Sequence, residues 1–262
     1  MKNIDLYGFD ISTMALPETV REIADRVEAG KRTAVFTPNP EMLERAIRDR
    51  NFASLLRDAD ILTPDGVGVC LAARLLCGER LSRVCGVELG RELLRSAERR
   101  GWGVFFLGGK KGVPERAADK IRREFPRLRI VGLRHGYFDS AEDVFDEISR
   151  ASPDLLFVCL GSPKQERWIA ESLPRLPHPC AALGLGGSLD VYAGVAHRAP
   201  RAFRFFGLEW LWRILLDPSR ARRALPLFEF ALRVLCDAVC VRLYTVQRAQ
   251  SKRDKSSVRV KK

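Results

Sequence analysis

From Arg32 to Gly187 short apolar runs alternate with amphipathic stretches, and no other feature of the chain limits its fold as tightly. A strand buried on both faces reads as a continuous apolar run, and a surface helix repeats its apolar residues every three to four positions. Their regular alternation is the signature of βα units around a parallel sheet. The strand candidates are Thr33–Phe36, Ile61–Thr63, Val104–Leu107, Leu128–Gly132, Leu155–Leu160 and Ala181–Leu185. Helical stretches fall at Glu41–Asp49, Val87–Arg100, Pro114–Glu124 and Lys164–Glu171, with Pro114 and Pro163 expected in first turns, where a missing N–H does no harm. The expected fold is α/β, a Rossmann-like, mostly parallel sheet flanked by helices.

In such sheets ligands bind beyond the carboxyl ends of the strands, so the residues just after each run converge although the sequence scatters them. These are Thr37, Asn39, Asp65, Gly108, Gly109, Gly161, Gln165, Gly186 and Gly187, with Asp190 just beyond. The set is polar and glycine-rich, which suits close approach of a phosphate-bearing ligand to backbone N–H groups.

Individual motifs leave alternatives open. In ThrProAspGlyValGly (63–68), Asp65 reads either as a general base for an attacking hydroxyl or as a helix N-cap, and spacing alone favours the cap. GlySerProLysGlnGlu (161–166) reads as a phosphate-binding loop with Lys164 and Gln165 as donors, or as an ordinary strand-to-helix turn. Asp58-Ala59-Asp60 has the Asp-x-Asp form that holds a divalent metal in many nucleotide-sugar transferases, but it precedes its strand and so sits at the wrong end for the crevice. No essential metal site and no cofactor are therefore expected, and basic side chains must then neutralise a leaving diphosphate. The spacing of His135, His178 and His197 gives no zinc motif, and Ser162 lacks a nucleophile elbow.

The net charge of +12 is unevenly placed. Residues 197–262 hold 16 Lys/Arg against five Asp/Glu, so eleven of the twelve charges lie in the last quarter of the chain. The expected organisation is a domain at 1–196, a basic amphipathic helical appendage at 197–248 and a basic tail at 249–262. Leu225–Val246 has the length of a membrane span, yet it carries Glu229, Arg233, Asp237 and Arg242, each costing ~2.5–3.5 kcal/mol at a bilayer centre. Glu229, Arg233 and Asp237 recur every four residues as one polar stripe able to pair along the helix, opposite Leu227, Phe228, Ala231, Leu235, Val239 and Leu243. Such a helix either docks on the domain or lies in a membrane interface. The Arg–aromatic interleaving at 201–213 fits interfacial anchoring better than nucleic acid, which is not an expected partner. The seven cysteines read as reduced thiols of a cytosolic protein, with Cys236 and Cys240 as buried thiols and not a pair of metal ligands, and the N-terminus has no apolar run of signal-peptide length.

Together the motifs closely resemble the WecG/TagA/CpsF family of bacterial glycosyltransferases. The matching stretches are PheThrProAsnProGlu (36–41), ThrProAspGlyValGly (63–68), ArgValCysGly (83–86), PhePheLeuGlyGly (105–109) and GlyTyrPhe (136–138). They continue, in the family's order, with GlySerProLysGlnGlu (161–166), GlyGlySerLeuAspValTyrAlaGly (186–194), GlyLeuGluTrpLeuTrpArg (207–213) and AspProSerArgAlaArgArg (217–223). The resemblance implies an inverting transferase. It would move an N-acetylmannosamine-type sugar from its UDP donor to the 4-hydroxyl of GlcNAc on undecaprenyl diphosphate, for teichoic acid, common antigen or capsule. It implies Asp65 as catalytic base, with Thr37, Asn39, Arg83 and Gln165 as active-site polar residues. Tyr137 and Asp190 would contact the nucleoside, and Arg213, Arg220 and Arg223 would complete the site from an appendage at the anionic inner face of the membrane. The enzyme would be cytoplasmic and peripheral. The alternatives are another donor (UDP-glucose or UDP-ManNAcA) with another lipid-linked acceptor, or a non-catalytic nucleotide-sugar-binding scaffold. One departure is visible: after Arg83 the family usually has Gly-x-Asp, where this chain has Gly86-Val87-Glu88.

Overall fold

The computed structural model describes residues 2–196, 199–200, 203, 209–216 and 225–240. Eight strands form one sheet in the order β1-β2-β4-β3-β8-β7-β5-β6. They are β1 (Asn3–Leu6), β2 (Phe9–Ser12), β3 (Thr33–Phe36), β4 (Ile61–Leu62), β5 (Gly103–Gly108), β6 (Arg129–Arg134), β7 (Leu155–Cys159) and β8 (Ala181–Gly184). All neighbours are parallel except β1 and β2, which form an antiparallel hairpin at one edge.

The mostly parallel α/β sheet is thus the one expected, with an added hairpin that the alternation of apolar runs did not announce. Its two-residue loop, Tyr7-Gly8, has positive φ at both positions (58° and 79°), the backbone of a turn matched to strand twist. Tyrosine is an uncommon residue at such a position.

Side chains of one strand point alternately to the two faces, and the core divides accordingly. Phe105, Leu107, Leu156 and Val158 pack on one side against α2 (Pro40–Arg48), α3 (Arg50–Arg57), α7 (Ala141–Ala151) and α8 (Lys164–Ser172). Val104, Phe106, Leu155 and Phe157 pack on the other against α1 (Leu16–Glu28), α5 (Gly86–Arg100) and α6 (Val113–Glu124). Local chemistry starts several of these helices. Asn39 caps α2 by accepting from Met42 N (2.9 Å), Asp49 caps α3, and Ser140 caps α7. Pro114 lies in the first turn of α6 as expected, whereas Pro163 falls one step earlier, at the N-cap of α8.

Two crossovers matter for function. The chain leaves β4 through the short α4 (Val67–Ala72) and a π-helical turn (Ala73–Cys77), then crosses the carboxyl end of the sheet before α5. Val84 N donates to Pro64 O (2.9 Å), which ties this crossing to the mouth of β4. After β8 the chain enters α9 (Ser188–Tyr192).

Beyond the α/β unit, the helix 225–240 lies against α2 and the hairpin. Phe230, Val234 and Ala238 are buried, the first two in the same core as Phe36 and Leu43. Arg233 donates to both oxygens of Glu44 (Nε–Oε2 3.0 Å, Nη2–Oε1 2.8 Å), Arg48 reaches Glu229 (2.9 Å), and Tyr7 OH donates to Asp237 (2.8 Å). The polar stripe expected to pair along the helix therefore pairs with the domain instead. Tyr7 occupies its turn because its ring packs edge-on against Phe230 (6.0 Å) while its hydroxyl holds Asp237.

The apolar stripe consequently faces outward. Leu225, Phe228, Leu232, Leu235 and Val239 are all exposed, and so are Cys236 and Cys240, contrary to the reading of these two as buried thiols. Among the described residues no helix is long and apolar enough to cross a membrane.

Candidate active site

The carboxyl ends of β3, β4 and β8 bring three loops together. Asp65 N donates to Pro38 O (3.0 Å), so the loops after β3 and β4 are joined through their backbones. The N-cap position of α4 falls on Gly66 (φ 92°), one residue past Asp65. The chain crossing from β4 then delivers Arg83, whose Nε lies 3.5 Å from Asp65 Oδ1. Thr37 lies beside the first turn of α5: a Cβ placed on Gly86 would sit 3.4 Å from Thr37 Oγ1, at ordinary van der Waals contact.

Arg83 is also held from the other side. Its Nη2 donates to Glu209 Oε1 at 2.5 Å, a contact spanning 126 positions in sequence. Asp65, Arg83 and Glu209 are each about three-quarters removed from solvent. Burial alone works against the charged guanidinium. Donation to Glu209 and the fields of Asp65 and Glu209 outweigh it, and hold the Arg83 pKa above the ordinary arginine range. Arg83 Nε is buried and has no hydrogen-bond partner. Cys70 and Cys85 face the same group. Burial pushes both thiols up, and Asp65 adds to the effect while Arg83 opposes it.

Gln165 is buried at the start of α8 and acts as a strap. Its Oε1 accepts from Gly186 N (2.9 Å) and its Nε2 donates to Glu166 Oε1 (2.8 Å), linking the loop after β7 to the loop after β8. Its amide also approaches β8, where a Cβ on Gly184 would meet Gln165 Nε2 at 3.0 Å. Glu166 is fully buried with Oε2 unpartnered, and burial raises its pKa against the pull of Gln165 and Ser162.

A second group gathers at β5, β6 and β7. Gly108 (φ 137°), at the end of β5, lies so close to the end of β7 that a Cβ would sit 2.3 Å from Cys159 O, and Gly136 N donates to Gly109 O (2.8 Å). This backbone crowding carries the chain to Tyr137, whose side chain is exposed. Gly161 (φ 78°) and Gly186 (φ 54°) open onto free space, with nothing near where a Cβ would sit. Lys164 is exposed at the start of α8, and Asp190 lies in the first turn of α9.

The expected site residues thus distribute plainly. Thr37, Asn39, Asp65 and Arg83 share the β3/β4 mouth, Gln165 and Gly186 adjoin it across β8, and Gly108, Gly109 and Tyr137 line the β5/β6 side. Asn39 Oδ1 is engaged as the α2 cap. Arg213 belongs to the helix Glu209–Leu216, and Arg220 and Arg223 lie outside the described residues. Asp58-Ala59-Asp60 is structural: Asp60 accepts from Ala34 N (2.8 Å) and pairs with Arg26 (3.1 Å) at the amino end of β4. Among the described residues no cluster of three or more His, Cys, Asp or Glu is placed to hold a metal ion.

Glu209 and Glu166 escaped the sequence reading. Glu209 had a signal, since it is the single acid between 197 and 216 amid four arginines. Glu166 had none beyond its place in the loop motif, because burial of one carboxylate is a tertiary fact.

The arrangement offers a carboxylate beside an arginine, at the mouth of a parallel sheet, with open glycine backbone nearby. Residues 4–242 match the Glycosyl transferase WecG/TagA/CpsF family. The N-acetylglucosaminyldiphosphoundecaprenol N-acetyl-beta-D-mannosaminyltransferase of Bacillus subtilis (strain 168) is 37% identical over 201 residues, covering 77% of this chain and 78% of that protein. The enzyme of the same name from Bacillus spizizenii (strain ATCC 23059 / NRRL B-14472 / W23) is 36% identical over 209 residues, covering 80% and 81%. That of Staphylococcus aureus (strain NCTC 8325 / PS 47) is 31% identical over 234 residues, covering 87% and 91%. With its parallel sheet, its crevice and a match over nine-tenths of its length, the chain is a glycosyltransferase and belongs to the WecG/TagA/CpsF family.

Proposed function

We propose that this enzyme transfers N-acetylmannosamine, or a close relative of it, from a UDP-sugar to the 4-hydroxyl of GlcNAc carried on undecaprenyl diphosphate, in cell-surface polysaccharide synthesis. The observation that carries the reading is Asp65 at the crevice mouth beside Arg83, in a chain whose relatives are named for this reaction.

In the proposed mechanism the acceptor oxygen attacks the anomeric carbon from the face opposite the leaving group. A new carbon–oxygen bond forms as the bond to the UDP β-phosphate breaks, and its electron pair departs on UDP. Asp65 takes the hydroxyl proton in the same step, and the configuration inverts. The open backbone at Gly161 and Gly186 lets a diphosphate approach N–H groups closely, and Lys164 stands beside it as a point charge. We assign Arg213, Arg220 and Arg223 to the same diphosphate. Thr37 and Asn39 would orient the acceptor, Gln165 would hold the two loops in register, and Tyr137 and Asp190 would contact the nucleoside.

The lipid-linked acceptor requires that the crevice work at a membrane. The outward stripe Leu225, Phe228, Leu232, Leu235 and Val239, followed by the basic run to Lys262, is suited to lie in an anionic interface. On this reading residues 197–248 form the membrane-facing appendage of a domain at 1–196.

The test is UDP release from UDP-N-acetylmannosamine with a GlcNAc-diphosphate-lipid analogue, across a panel of UDP-sugars. Asp65→Asn is expected to lower turnover by roughly 10²–10⁴-fold, the usual size of general-base catalysis. Wild-type turnover by that variant would remove Asp65 from the mechanism, and preference for another UDP-sugar would replace the donor.

A further inference from the structure

Gln165 joins the two turns that carry the open glycines. Its backbone N donates to Gly161 O (3.0 Å) and its Oε1 accepts from Gly186 N (2.9 Å), so one residue spans from the β7–α8 turn to the β8–α9 turn. The other end of the same amide, Nε2, donates to Glu166 Oε1 (2.8 Å). A backbone N–H only donates, and Glu166 Oε1 here only accepts, so the amide fits between them one way round.

Glu166 is completely buried, and its Oε2 finds no hydrogen-bond partner among the described residues. A half-satisfied buried carboxyl costs stability, so packing does not account for it. Helix capping does not account for it either. Glu166 is the third residue of α8, where a glutamate commonly reaches back to the N–H of the cap residue, but that residue is Pro163 and has no N–H. What the side chain does in this fold is hold Gln165. We propose that Glu166 is a positioning residue for the donor diphosphate. By accepting from Gln165 Nε2 it fixes which end of that amide meets Gly186, and so keeps the open backbone at Gly161 and Gly186 at one spacing.

Without an acceptor at position 166 the amide can turn over about its last side-chain bond. An N–H would then face the Gly186 N–H, the bond between the two turns would be lost, and the loop after β8 would be released. The strand itself does not prevent this. β8 makes room for the amide at Gly184, where a Cβ would lie 3.0 Å from Nε2, and Glu166 gives the amide its direction. Burial pushes the Glu166 carboxyl up, against the pull of Gln165, Ser162 and, more weakly, Arg45. A proton there belongs on the unpartnered Oε2, and Oε1 stays an acceptor with or without it, so a side-chain amide at 166 can stand in for the carboxyl. The inference deepens the transfer reaction proposed above and rests on it for the identity of the ligand.

The test compares full-length, isotope-labelled wild type with Glu166→Gln and Glu166→Met. In the first measurement amide exchange is followed by NMR without ligand. Glu166→Met is expected to speed exchange at Gly186 N–H about three- to tenfold, the size of one hydrogen bond, while Glu166→Gln stays within about twofold of wild type. An unchanged rate in Glu166→Met would overturn the coupling to Gly186, and a Glu166→Gln variant as fast as Glu166→Met would overturn the acceptor role. Should Glu166→Met not fold, the wild type still decides the pairing: side-chain NH2 protons of Gln165 that exchange as fast as those of a solvent-exposed glutamine would overturn it. The second measurement is UDP binding by calorimetry, with donor KM and kcat on the soluble acceptor analogue. Glu166→Met is expected to weaken UDP and raise donor KM about three- to tenfold, with kcat within about twofold. Its melting temperature should stay within about 3 °C of wild type, since the lost bond is offset by removing a buried carboxyl. A lowered melting temperature with unchanged UDP affinity would make Glu166 a purely structural residue and overturn the proposal. A wild-type chain that binds UDP yet transfers no sugar counts against the transfer reading alone. One that binds no UDP overturns the role in donor binding, and amide exchange still decides the link from Glu166 through Gln165 to Gly186.

Discussion

Replacing Arg233 by methionine isolates what holds the last helix on the domain. Glu44 is only 1% exposed and receives both Arg233 donors, with Arg48 as a second, more exposed partner at 2.7 Å. Removing one partner of a buried ion pair costs about 3–5 kcal/mol, because the remaining charge is left without compensation. Arg48 stays in place and Arg233 is itself one-third exposed, so the expected loss falls to about 2–3 kcal/mol. That is a large share of the roughly 5–15 kcal/mol of a whole domain. The assay is urea unfolding of wild type, Arg233→Met, Glu44→Gln and the double variant. Contacting charges should show a coupling of about 1.5–3 kcal/mol, and single losses that add to within about 0.5 kcal/mol would refute the pairing.

The pH dependence of the same variants provides a sign check. Donation from Arg233, against an opposing burial penalty, lowers the Glu44 pKa in the folded chain. The unfolded chain then binds the proton more tightly, so this contribution is fully present above about pH 4.3, the ordinary glutamate value, and is lost as pH falls through the lower folded value. Arg233→Met should flatten that acid slope. A slope identical to wild type would show that Arg48 alone sets the Glu44 carboxylate.

Two further outcomes follow from packing. Gly108→Ala should cost at least about 2 kcal/mol, since φ is 137° and the new Cβ would press on Cys159 O, a backbone atom with no freedom to swing aside. A melting temperature within about 2 °C of wild type would mean that the β5–α6 loop yields. Phe228→Asp with Leu232→Asp should leave unfolding free energy within about 0.5 kcal/mol of wild type, because these side chains are 60% and 65% exposed. The same pair should abolish co-sedimentation with anionic vesicles, and retained binding would remove the outward stripe from the membrane reading.

Much of the crevice was legible beforehand, for a simple reason. In a parallel sheet the residues after each strand must converge, so finding the apolar runs located Thr37, Asp65, Gly108, Gly161 and Gly186 together. Arg83 was legible through resemblance and not through pattern, because it lies on neither strand nor helix and arrives by a crossing tied to Pro64 O. The hairpin at Asn3–Ser12 was not legible: its turn residue Tyr7 is chosen by Phe230 and Asp237, more than 200 positions away.

The basic last quarter divides most clearly between the two levels. Its charge, its amphipathic period and the apolar stripe along residues 225–239 are properties of the sequence alone, since spacing on a helix dictates which side chains share a face. Which face meets the domain is not a local property. Glu44, Arg48 and Tyr7 supply partners for the polar stripe and its flanking Phe230 and Val234, so burial goes to that side and the apolar residues are left outward. The same rule set the fate of Glu209, an exposed-looking acid in an arginine-rich segment until the fold placed Arg83 within its reach.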